Sequence, residues 1–266
     1  MMIYRILFQK IDRKLLSGLF LILLSIPTVA VANSLSQTEK PSVELSEAKQ
    51  SKKRRKPPSD YSRAGGSRGC PGESVPLTVL APNTFVGKTT SLRPTFTWFV
   101  SKPKETQFRL FELTEGKSPK RVGTPIKLQS KSGINKLSLP KERSPLTVGK
   151  TYIWQVSIDC PDSPFMQRAE FSVVQKPSVL NNKLSKATNS SEKAYIYAEQ
   201  DLWYEAMEEA FKTAPQGKLG QLGSQIVKNL AESDSYIPEQ TTADKLKVLQ
   251  QEIQQRKSYL EKIAEK

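Results

Sequence analysis

The chain has 266 residues, with 41 Lys and Arg against 26 Asp and Glu, two Cys and no His. The absence of His excludes Ser-His-Asp and Cys-His nucleophile systems, His-ligated zinc and haem, and the usual proton-shuttling side chain near neutral pH. The length accommodates one or two domains, and a hydrophobic fraction of 37% supplies a modest core but not a membrane bundle.

Arg5, Lys10, Arg13 and Lys14, opposed only by Asp12, precede an apolar run from Leu15 to about Val29 and then Ala30-Val31-Ala32-Asn33. A basic start, an apolar core and small residues at minus three and minus one form a secretory signal peptide, residues 1–32, with cleavage between Ala32 and Asn33. Leu15 to Ala32 just reaches spanning length, so a retained anchor is the alternative; Pro27 and the A-x-A ending favour cleavage. No later apolar run is long enough to span, so no membrane span is expected after cleavage. Removing the leader lowers the net charge from +15 to +12.

Residues 33–69 are rich in Ser, Glu, Lys and Pro, with nine basic groups against four acidic ones, and include Lys52-Lys53-Arg54-Arg55-Lys56 before Pro57-Pro58. So few large apolar residues cannot offset the entropy of ordering, and the segment is expected to be a disordered basic linker. Behind a leader, the basic run reads as a solvated tether or an attachment to an anionic envelope surface, not a nucleic-acid patch.

Residues 70–175 alternate short apolar segments with Pro and Gly turns. The expected strands are Leu77–Leu80, Thr95–Val100, Gln107–Leu113, Val122–Leu128, Ile134–Leu139, Thr151–Ile158 and Phe165–Val174. Phe96, Trp98 and Val100 recur at period two, as do Tyr152, Trp154, Val156 and Ile158, which makes Trp98 and Trp154 core anchors. Seven short strands at this spacing predict an all-β immunoglobulin-like sandwich domain. Cys70 opens it and Cys160 follows its penultimate strand; an even Cys count in an exported chain predicts a Cys70–Cys160 disulfide. The rival, a metal held by the two Cys with Asp159 and Asp162, lacks enough soft ligands.

Residues 176–266 turn to Ala, Glu, Lys, Leu and Gln, giving a small helical C-terminal region and an α+β chain overall. Apolar spacing predicts helices over Ser190–Ala214 and Leu219–Ala231. Thr241-Thr242-Ala243-Asp244 starts a third helix to near Ala264. Its stripe of Leu246, Leu249, Ile253, Leu260 and Ile263 is interrupted by Arg256.

Several short segments resemble a cyanobacterial family of exported proteins known only as a domain of unknown function. They are Arg68-Gly69-Cys70-Pro71, Leu77-Thr78-Val79-Leu80-Ala81-Pro82, Arg93-Pro94-Thr95-Phe96-Thr97-Trp98, Leu146-x-x-Gly149-Lys150-x-Tyr152-x-Trp154, Asp159-Cys160-Pro161 and Leu202-Trp203-Tyr204-Glu205-Ala206. The resemblance spans about residues 63–215; Glu205 stands where the family pattern has Asp, and Pro161–Arg168 is shorter than usual. It implies a cyanobacterial envelope protein and carries no catalytic residue with it.

Gly87-Lys88-Thr89 resembles the end of a phosphate-binding loop, but Pro82 occupies the place of the required earlier Gly. Glu208/Glu209 and Asp159/Asp162 read as a solvated helix face and turn residues, not acid–base pairs. The expectation is a non-enzymatic interaction or structural protein, periplasmic or extracellular and without a cofactor. Its partner would be an envelope protein or an anionic polysaccharide, and not nucleic acid. Alternatively it is a polysaccharide- or peptidoglycan-binding module in which Trp203 and Tyr204 stack on sugars, unless burial makes them packing residues.

Overall fold

The computed structural model describes residues 55–62, 69–235, 237 and 241–266. The expected cleavage point Ala32–Asn33 and most of the expected linker lie outside the described residues. Among the described residues a 3-10 turn (Asp60–Ser62) precedes nine strands: β1 (Thr78–Val79), β2 (Gly87–Thr89), β3 (Thr95–Val100), β4 (Lys104–Leu113), β5 (Lys120–Arg121), β6 (Ile126–Ser130), β7 (Gly133–Ser138), β8 (Thr151–Ile158) and β9 (Phe165–Val173). Five helices follow: α1 (Ser178–Lys186), α2 (Ser190–Glu199), α3 (Trp203–Ala210), α4 (Gly220–Ser233) and α5 (Ala243–Ala264). The fold is α+β.

The strands form two sheets. A small one runs β1-β3-β7; a large one runs β2-β9-β8-β4-β5, with β6 also pairing β4. All pairings are antiparallel except β2 with β9. β2 is the Gly87-Lys88-Thr89 segment: three residues without a large apolar side chain give no strand signal, yet Gly87 pairs with Phe171 and Thr89 with Val173. The strand expected at Val122–Leu128 begins later, as β6 from Ile126, because Gly123 takes φ +70° and turns the chain after β5.

The alternation in β3 and β8 has the expected inner face. Phe96, Trp98 and Val100 share one core with Phe108 and Leu110 of β4, Trp154, Val156 and Ile158 of β8, and Phe171 of β9. Ring centroids of Phe96 lie 4.9 Å from Phe108 and 5.2 Å from Trp154, so the two sheets meet through aromatic contacts. The other face of β3 departs from a solvated polar face, since all six β3 residues are buried. Phe99 belongs to a second core with Val75, Leu80, Phe85 and the inward faces of α3, α4 and α5. The small sheet is therefore the middle layer between the large sheet and the helices, which explains its apolar composition on both sides.

The helices share both cores with the strands, because α3 contributes to each. Trp203 packs among the helices, while Tyr204 enters the core between the sheets. The single helix expected over Ser190–Ala214 is in fact α2 and α3. The N–H of Asp201 bonds to the carbonyl of Ala198 and that of Leu202 to Tyr197, with Asp201 at φ +58°. This is the Schellman ending, in a place that usually holds Gly. Asp tolerates the left-handed region, and here its carboxylate is also fixed from outside, by Arg55 at 2.7 Å.

Arg55 also fastens the described end of the basic segment to the rest of the chain. Residues 55–62 are seated on the domain: Arg55 donates to the Ser233 carbonyl, its guanidinium lies 4.1 Å from the Phe85 ring centre, and Val86 N–H bonds to the Lys56 carbonyl. A residue of the basic run thus serves as a buried structural pin. Arg256, the interruption in the α5 stripe, is another. It pairs with Asp234 at 2.6 Å and donates to the Val79 and Ala81 carbonyls, tying α5 to the end of α4 and to the small sheet.

Candidate functional site

Cys70 and Cys160 form the expected disulfide, with Cα atoms 5.3 Å apart and a sequence separation of 90. Both sulfurs are consumed in that bond, which leaves no thiolate for the rival metal reading. Among the described residues no group of His, Cys, Asp or Glu is arranged to hold a metal ion, and no helix is long and apolar enough to cross a membrane.

Trp203 and Tyr204 are each 4% exposed. Tyr204 Oη accepts a hydrogen bond from Trp154 Nε1 at 2.9 Å, and its ring lies 5.1 Å from that of Phe171. Burial pushes the Tyr204 hydroxyl pKa far above its usual value, so it stays protonated. Neither ring has a face free to stack on a sugar, so of the two roles considered both residues take the packing one.

Three buried carboxylates hold elements together. Glu205, at the start of α3, accepts through one oxygen from Thr89 Oγ1, Thr90 N and Oγ1, and Ser91 N, fastening the helix to the end of β2. Its pKa is raised chiefly by burial, an effect that these bonds oppose. Asp234 accepts from Asn83 N, Thr84 N and Thr84 Oγ1 besides Arg256. Glu170 of β9 accepts from Ser59 N, Ser59 Oγ and Ser62 Oγ, clamping residues 59–62 onto the large sheet. Of the acidic pairs set aside earlier, Glu208, Asp159 and Asp162 are exposed, while Glu209 is buried and bonded to Lys212.

The outer face of the large sheet, away from both cores, carries a different arrangement. Strand register sets Arg109 of β4 opposite Gln155 of β8, and Gln155 opposite Arg168 of β9. Directly opposed residues project to the same face, so these three form one row. In the adjoining row Arg121, Phe111, Ile153 and Glu170 stand side by side. Beside these rows opens a cleft of about 200 Å³ lined by Tyr61, Phe111, Pro119, Ile153 and Arg168. Arg168 Nε donates to Gln155 Oε1 at 2.8 Å and its Nη1 to the Tyr61 carbonyl at 2.9 Å. Burial, and then the neighbouring Arg109 charge, hold the Arg168 pKa below its ordinary value. Gln155 is 1% exposed, and its Nε2 and the buried Nε of Arg109 have no hydrogen-bond partner. None of these residues was singled out from sequence. Alternation along β4, β8 and β9 sends them outward, but only the register reveals that two Arg flank one Gln.

Fold and site thus define an α+β protein in which a disulfide-bridged two-sheet core is capped by helices on one side and exposes a cationic cleft on the other. Residues 63–234 match the family described as Domain of Unknown Function (DUF928), and the chain belongs to that family. No curated protein is significantly similar to it.

Proposed function

We propose that this chain is an exported, non-enzymatic binding protein of a cyanobacterial cell envelope, working in the periplasm or outside the cell. Its two-sheet core is read as an immunoglobulin-like scaffold. The carrying observation is the cleft beside Tyr61, Phe111 and Arg168, where an aromatic and aliphatic lining adjoins the row that holds Arg109 and Arg168 on the outer face of the large sheet. The basic leader region, the A-x-A sequence at Ala30–Ala32 and the Cys70–Cys160 bridge support export. A binding role is favoured over catalysis because Glu170, Glu205 and Asp234 are engaged in clamping backbone and hydroxyl donors. A general acid or base needs a carboxyl group free to reach substrate.

The test is capture from native envelope fractions by the tagged mature chain, with and without crosslinking, at low and high salt. The expected result is a specific envelope component held at low salt and released as ionic strength rises. Recovery of nothing above a tag-only control at low salt would overturn the proposal.

A further inference from the structure

We infer that the outer-face cleft is a carboxylate site for one uronic-acid unit of an acidic polysaccharide, with Arg168 receiving the carboxylate, Gln155 holding Arg168 from behind, and Tyr61 and Phe111 flanking the ring. This rests on the binding reading above and assigns it a ligand class. Three observations carry it. Among the described residues neither Arg109 nor Arg168 forms an ion pair, although both lie half-buried in one row, on either side of Gln155. Gln155, almost wholly buried between them, spends its oxygen on Arg168 and keeps an unpartnered amide N–H. An oxyanion in the cleft would give the Arg168 guanidinium, the cation that lines it, a counter-charge. Glu170, a carboxylate on this face, already accepts from Ser59 and Ser62.

Size and position select the ligand. The cleft's 200 Å³ is below the roughly 300–1,000 Å³ of drug-sized sites and suits a single ring. Tyr61 is 47% exposed, which leaves a ring face for stacking, and Arg121 stands exposed opposite Phe111 to meet the next charge along a polymer. A peptide bound by strand addition would need an open sheet edge, whereas the row spans β4, β8 and β9 within the sheet.

The test is titration calorimetry of the mature chain with oligogalacturonate, neutral cello-oligosaccharide, a sulfated oligosaccharide and an acidic peptide. Oligogalacturonate should bind best, and at least tenfold more weakly to Arg168→Gln. Gln155→Glu, which supplies the two Arg with an internal carboxylate, should lose binding while melting no lower than wild type. Binding of neutral, sulfated or peptide ligands as tight as that of oligogalacturonate, or unchanged binding by Arg168→Gln, would overturn the inference. If both variants were still captured with the same envelope component as wild type, the uronate site would fail while the broader binding reading stood.

Discussion

Replacing Arg256 with Leu separates two ways of reading α5. By apolar spacing alone, Leu at this position completes the stripe of Leu246, Leu249, Ile253, Leu260 and Ile263 and should stabilise the helix packing. The structure predicts the opposite. Arg256 and Asp234 side chains are 11% and 1% exposed, and the pair is made at 2.6 Å. Leu would leave the Asp234 charge without its cation and the Val79 and Ala81 carbonyls without their shared donor. Breaking a buried pair from one side costs about 3–5 kcal/mol. Asn83, Thr84 and the Thr84 hydroxyl still donate to the other carboxylate oxygen, so the loss should fall near the lower end. For a domain of this size, about 2–4 °C per kcal/mol translates a loss of about 3 kcal/mol into a fall in Tm of roughly 6–12 °C. Thermal and urea unfolding followed by circular dichroism measure it. Adding Asp234→Asn to the Arg256→Leu background should recover part of the loss, because the unpaired charge is then gone. An Arg256→Leu protein as stable as wild type, or more so, would refute the reasoning.

Other perturbations address the remaining contacts. Tyr204→Phe strands the buried Trp154 N–H and should cost about 1–3 kcal/mol in urea unfolding, with no change in secondary structure. Changing Cys70 and Cys160 together to Ser opens a loop of 90 residues, and should cost roughly 4–5 kcal/mol by the chain-entropy account, as should reductant added to the wild-type protein. Glu205 has a folded pKa raised above its ordinary 4.5, so its contribution to stability is full below about pH 4.5 and is lost as pH climbs through the raised value. Glu205→Gln should therefore flatten the urea-midpoint profile above pH 4.5; a profile parallel to that of wild type would show that the group does not titrate there.

What could be read in advance follows from how local each signal is. β3 and β8 were legible to the residue because large apolar side chains recur at period two within one segment. The Cys pair was legible because only one bridge is possible between two Cys. Asp201 hid the break between α2 and α3: its left-handed backbone depends on Arg55, almost 150 residues earlier, so no window around the helix contains the cause. The same distance hid the burial of Arg55, which from composition alone belongs to a solvated run. α1 escaped notice because only Leu180 among its nine residues is buried. The Arg109-Gln155-Arg168 row is a product of register across three strands, and polar residues at outward positions look alike until that register is known.

The central claim is that the mature chain binds an anionic envelope component through the outer face of its large sheet. The most direct measurement is retention of wild-type and Arg168→Gln proteins on purified envelope polysaccharide across a salt series. The account predicts that wild type is held at low salt and released as salt increases, while Arg168→Gln passes through at salt concentrations that still retain wild type. Equal retention of the two proteins at every salt concentration, or no retention of either, would contradict it.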